Sequence, residues 1–181
     1  LLALLRPLKQ EESFEDMRHI AEIIVDTLNT EALIHVRLSY SSVMNTLSDI
    51  SDAFRETSLA LKVGRLFYSE QNIFPYNELG IGRLIYRLPA SLCENFLSEI
   101  FGTSTPEALD PELTATINRF FLNNLNIAET ARQLHMHRNT LIYRLEQVEK
   151  QTGLDLRTFE DAMTFKVAMM VINYLKGNQE L

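Results

Sequence analysis

The chain has 181 residues, 46% of them hydrophobic, and a formal net charge of −7, which suits one large or two small globular domains. It contains no apolar run of the roughly 18 residues needed for a membrane-spanning helix and nothing that reads as a signal-peptide cleavage site. Cys93 is the single cysteine, so an internal disulfide is excluded and a reducing, cytoplasmic setting is expected. The first residue is not Met and the chain opens inside what reads as a strand, so a fragment of a longer protein is expected.

Leu1–Leu5 is bulky and reads as a buried strand. Phe14 to Leu28 is an amphipathic helix, with Met17, Ile20, Ala21, Ile24 and Leu28 on one face. Ala32–Leu38 reads as a second strand. Ile50 to Phe67 is a second helix that aligns Ile50, Ala53, Phe54, Thr57, Ala60, Leu61 and Gly64. Asn72–Phe74 is a third short strand closed by Pro75. The order β-α-β-α-β predicts a small α+β sheet covered by helices on one face.

Glu78–Leu88 and Ala90–Phe101 read as short helices broken by Pro89, with Gly102 as a stop. Gly102 to Pro106 is the best linker candidate. Residues 1–102 are therefore expected to form an α+β front domain with a short helical extension, and residues 110–181 an all-α domain. The second domain opens at Asp110-Pro111, a cap followed by proline in the first helical turn. Its first helix, Glu112–Asn123, packs Leu113, Ile117, Phe120 and Phe121. Its last, capped by Thr158 and Asp161, runs to about Lys176 and is stopped by Gly177. That helix is apolar nearly all round and needs a second covering surface, either the front domain or another copy of the chain.

Between those helices, NIAETARQLHMHRNTLIYRL (Asn126 to Leu145) has the layout of a helix-turn-helix. Asn126 can accept from the free N–H groups of the opening turn, and Glu129 stands where a capping box would place it. Ala131 is small where two helices cross. Leu141, Leu145 and Val148 follow i, i+4, i+7 and point inward, while Asn139, Tyr143 and Glu146 point away. His137, Arg138, Asn139 and Thr140 cluster groove-suited donors at the start of the second helix, where major-groove readers meet bases and phosphates first. An ordinary pair of packed helices with a solvated polar face is the bland alternative. The acidity lies in residues 1–111, with 9 basic and 16 acidic side chains; residues 112–181 hold 8 of each. So modest a footprint predicts weak non-specific binding, with specificity resting on dimerisation and direct base contacts.

The run His137-Arg138-Asn139-Thr140-Leu141, then Tyr143-Arg144-Leu145 and Thr152-Gly153-Leu154-Asp155, resembles the C-terminal DNA-binding domain of bacterial purine-catabolism and carbohydrate-diacid regulators. The resemblance covers about residues 112 to 175. That helix-turn-helix is itself similar to the one in the factor-for-inversion-stimulation group. The resemblance implies first contact with DNA at His137, Arg138, Thr140, Tyr143 and Arg144. One position departs: the turn residue usually filled by glycine is His135 here, so the turn is either slightly strained or avoids positive φ. The front of the chain resembles the back half of a GGDEF-like domain, the degenerate nucleotide-cyclase fold that precedes the DNA-binding domain in the same regulators. That likeness is carried by Leu1–Pro7, by His35-Val36-Arg37-Leu38-Ser39-Tyr40 and by Ala53–Phe67.

The expected function is sequence-specific transcription regulation of a metabolite uptake or catabolism operon, with helix 138–151 in the major groove. Arg138 would bind a guanine edge or a phosphate, Asn139 and Thr140 bases or phosphates, and Tyr143 a thymine methyl or the backbone. Arg144 and His137 would hold phosphates. The expected partners are double-stranded operator DNA of palindromic arrangement, a second copy of the chain, and an effector sensed upstream of residue 1. No Gly-rich phosphate loop, paired catalytic carboxylates or metal-ligand spacing stands out among the histidines (19, 35, 135, 137) and Cys93. No enzyme activity, cofactor or metal is expected. The alternative is a protein-interaction or dimerisation module whose helix-turn-helix does not bind DNA.

Overall fold

The computed structural model describes residues 1–9, 12–102 and 110–179. It divides into two compact units, Leu1–Arg87 and Leu88–Leu181. The first is a small α+β unit and the second is all helical.

In the first unit, α1 spans Phe14–Thr30 and opens on a capping box between Ser13 and Asp16. It buries Ala21 and Val25. Strand β1 (Leu38–Tyr40), helix α2 (Ile50–Phe67) and strand β2 (Ile73–Pro75) follow. The strands pair in parallel, Leu38 opposite Ile73 and Tyr40 opposite Pro75, so α2 serves as the crossover that parallel neighbours require. Ala60, Val63, Phe74 and Leu79 form the core here. The Phe74 ring lies directly against the backbone of Gly64, where a Cβ would come within 2.3–2.5 Å of three ring carbons. Helix α3 is Gly80–Ile85, entered by a 3-10 turn at Tyr76–Glu78.

Three front-end expectations are corrected. Leu1–Leu5 forms no strand, and Leu1 and Leu2 are 96% and 93% exposed. Ala32–Leu38 begins in a bend at Ala32 and a left-handed Leu33 (φ 53), with Leu33 and Ile34 exposed, and forms no strand before Leu38. Helix α2 has the expected bounds, but only its second half is buried (Ala60, Val63, Gly64), while Ile50 and Phe54 face outward. The five-element sheet order thus reduces to one parallel β-α-β unit preceded by a helix.

In the second unit, α4 (Ala90–Phe101) lies against α8 (Phe159–Gln179). The Tyr174 hydroxyl donates to the Leu88 carbonyl at 3.0 Å. Helix α4, expected with the front domain, instead belongs to this unit through its contact with α8. Part of the apolar surround of α8 is thereby covered within its own unit. Cys93 on α4 is buried, and burial pushes its thiol pKa up, the opposite of an activated nucleophile. Helix α8 also runs through Gly177 instead of stopping there. Gly102 ends α4 with φ 58, and the rest of the expected linker lies outside the described residues. Three further helices, α5 (Pro111–Leu122), α6 (Ile127–Gln133) and α7 (Arg138–Thr152), complete the unit. Leu113, Ile117, Phe120, Ala131, Leu141, Leu145, Val148, Leu156 and Phe165 close one core among them.

Candidate nucleic-acid interface

The candidate interface is built on α6, the turn after it, and α7. Asp110 caps α5 by accepting from the Glu112 N–H, with Pro111 in the first turn. Helix α5 ends at Asn123, and the chain reverses through two left-handed residues, Asn124 and Leu125 (φ 50 and 61). The Asn123 amide donates to Thr130 Oγ1 at 3.1 Å and to Gln133 Oε1 at 3.2 Å, tying the end of α5 to α6. Asn126 caps α6, accepting from the Glu129 N–H at 3.0 Å. Only half of the expected capping box forms. The Glu129 carboxylate turns instead to Arg132 and Gln133, which hold its pKa down to about 2.

The turn joining α6 to α7 uses His135 at φ 52, so the missing glycine is met by a left-handed histidine. Its N–H donates to the Arg132 carbonyl at 3.2 Å, and the Met136 N–H donates to Ala131 at 3.0 Å. A left-handed non-glycine residue costs about 1 kcal/mol. His135 is exposed, so little packing is lost with its ring. His135→Gly is expected to raise the thermal midpoint of the helical unit by a few degrees, at roughly 4–8 °C per kcal/mol. Calorimetry checks this; a lowered midpoint would mean that the ring contributes more than the backbone strain.

Helix α7 begins with an unusual cap. His137 Nδ1 accepts from the Asn139 N–H at 3.2 Å. The cap requires an unprotonated Nδ1, which leaves Nε2 as the N–H donor of a neutral ring. Arg138, Asn139 and Thr140 follow in the first turn, all exposed. Tyr143, one turn on, is 57% exposed. Gln147 continues that line and donates to the Tyr143 hydroxyl at 3.2 Å. The sequence reading passed over Gln147; its i+4 spacing from Tyr143 was the available signal. On the inner side Leu141, Leu145 and Val148 are fully enclosed.

The charges are arranged less openly than the sequence suggests. Arg132 is paired with Glu129. Arg157 binds Asp155 at 2.6 Å and Glu149 at 2.7 Å, tying the end of α7 to the following loop. Arg144 turns inward to α5, where it donates to Thr116 Oγ1 at 2.8 Å and to the Glu112 carboxylate. The Arg138 side chain has no hydrogen bond or ion pair among the described residues. The structure therefore brings His137, Arg138, Asn139, Thr140 and Tyr143 onto one exposed surface and sets Arg144 apart from them. Among the described residues no cluster of His, Cys, Asp and Glu could hold a metal ion, and no helix is long and apolar enough to cross a membrane.

Residues 113–171 match the family model of the PucR C-terminal helix-turn-helix domain. The chain is 33% identical over 135 residues to the purine catabolism regulatory protein of Bacillus subtilis (strain 168), covering 74% of this chain and 25% of that protein. It is 26% identical over 157 residues to the carbohydrate diacid regulator of Escherichia coli (strain K12), covering 87% and 41%. It is 25% identical over 174 residues to the DNA-binding transcriptional activator AdeR of Bacillus subtilis (strain 168), covering 90% and 40%. The chain thus spans between a quarter and about two fifths of the length of these relatives.

Proposed function

Because residues 113–171 are a helix-turn-helix domain of the PucR C-terminal family, we propose that the chain is the DNA-reading part of a bacterial transcription regulator. Helix α7 enters the major groove by its first turns. The observation that carries this reading is the start of α7: Arg138 exposed, its side chain without a partner among the described residues, beside exposed Asn139, Thr140 and Tyr143. A long exposed cation held at a helix start invites an acceptor from outside the protein. A guanine edge offers two acceptors matched to a guanidinium. Asn139 and Thr140 meet adjacent bases or phosphates, and Tyr143 meets a thymine methyl or the sugar-phosphate backbone. His137 keeps Nε2–H for a phosphate while Nδ1 caps the helix, and the helix N-terminus itself favours that anion.

Two copies acting together place two such helices on half-sites about 34–36 Å apart, one turn of DNA. The regulated genes serve uptake or breakdown of a small metabolite, and the effector is sensed elsewhere in the protein; support comes from one relative named for purine catabolism and one for a carbohydrate diacid. The front unit is read as part of a GGDEF-like domain, supported by its parallel β1-α2-β2 crossover. The test is the Arg138→Ala variant in a titration against the preferred duplex. Loss of about 1–3 kcal/mol of specific binding is expected. Unchanged affinity with an intact fold sinks the assignment of Arg138.

A further inference from the structure

Arg144 holds an unusual place among the basic residues of the helix-turn-helix. Its side chain is 22% exposed, against 73% for Arg132. One guanidinium nitrogen donates to Thr116 Oγ1 at 2.8 Å, and the other to the Glu112 carboxylate. Thr116 is 2% exposed and its single hydroxyl proton is committed to the Glu112 carbonyl at 2.9 Å. Its free lone pairs are thus left for Arg144. Glu112 and Thr116 stand one turn apart on α5, so the planar fork spans two fixed points on one helix.

We infer that Arg144 is a positioning residue, which moors the recognition helix to α5 and sets the height at which Asn139 and Tyr143 are presented. The apolar stripe of Leu141, Leu145 and Val148 fixes which side of α7 faces inward. Apolar contact is non-directional and tolerates a small slide along the helix axis. A two-point hydrogen-bonded fork does not, because it weakens steeply with distance and angle. Glu112 is 70% exposed, so this ion pair contributes little to stability. The mooring acts on geometry, and variants that break it keep the fold. The consequence for DNA rests on the proposal that α7 reads bases; the mooring itself does not.

The test uses the whole chain with Glu112→Gln and Arg144→Lys. The probes are the duplex that wild type selects from genomic DNA and a scrambled duplex of equal length. Simple electrostatics has Glu112→Gln strengthen binding to both, since it removes a negative charge near phosphate. The mooring has it weaken binding to the selected duplex by on the order of tenfold, with the scrambled duplex bound no more weakly than before. Arg144→Lys keeps the charge but replaces the rigid two-nitrogen fork by a flexible point charge, and gives the same selective loss with the salt slope unchanged. A direct phosphate contact by Arg144 would instead be largely kept by Lys. Hydrogen exchange of the Asn139–Tyr143 amides without DNA should quicken in both variants. Tighter binding of Glu112→Gln to both duplexes, or unaltered exchange in both variants, overturns the mooring. If wild type prefers no duplex, the DNA-reading proposal fails, and the exchange experiment alone still decides whether Arg144 moors α7.

Discussion

Phe120→Ala is expected to remove about 3–5 kcal/mol from the helical unit, the largest single loss predicted for this protein. Phe120 is 0% exposed and belongs to the core shared by α5, α6, α7 and α8. Removing the ring leaves a cavity bounded by several helices, whose collapse would have to displace α7 from α5. The loss is a large part of the 5–15 kcal/mol that holds an ordinary domain together. It should appear as a drop of more than about 10 °C in the thermal midpoint, followed by circular dichroism. DNA binding should fall with it, since the same packing supports the first turns of α7. Phe120→Leu, which retains most of the apolar volume, should lose much less. A change under about 1 kcal/mol for the alanine variant would show that the four helices do not share this core.

Gly64→Ala should destabilise the front unit by about 1–3 kcal/mol. In an open helix the same change is favourable by about 1 kcal/mol, because alanine is the better helix former. Here the added Cβ would occupy the space of the Phe74 ring. That ring is 1% exposed and packed with Ala60, Val63 and Leu79, so it cannot step aside without moving β2 away from α2. The overlap therefore outweighs the propensity. Reducing the ring provides the internal check. Gly64→Ala combined with Phe74→Leu should be less destabilised than the sum of the two single changes, since the methyl then fills space that the ring vacated. A raised midpoint for Gly64→Ala alone would contradict the close approach of α2 and β2.

Helices were legible in the sequence where one face carried an unbroken apolar period. Helices α2 and α4 fall at their expected bounds, and α7 overruns its expected end by one residue. Strands were not legible in the same way. A short apolar run such as Leu1–Leu5 is equally compatible with several conformations. Whether it becomes a strand depends on a neighbour with free N–H and C=O groups, which local composition does not reveal. Of the Ala32–Leu38 run, only Leu38 meets such a partner, in β2.

The exposed surface of α7 was read from periodicity, because an i, i+4, i+7 inner stripe also defines the outer one. The roles of Arg144 and His137 were not. Arg144 was assigned to phosphate on charge and family likeness, yet its partners lie 32 and 28 residues earlier in the chain, a separation that no local pattern encodes. His137 was read as a donor to DNA, while its ring also caps the helix, a task usually given to Ser, Thr, Asp or Asn. Glu129 stood at the capping-box position, but Arg132 and Gln133 offered its carboxylate two side-chain donors within one turn.

The proposed reading of DNA sequence by α7 rests on Arg138. It is tested most directly by selection from fragmented genomic DNA with the wild-type chain and Arg138→Ala side by side, at moderate and raised salt. A recurring two-fold-symmetric site should be recovered by wild type and not by the variant, with recovery falling as salt rises. Failure of both proteins to enrich any sequence while folded, or equal enrichment of one site by both, would contradict it.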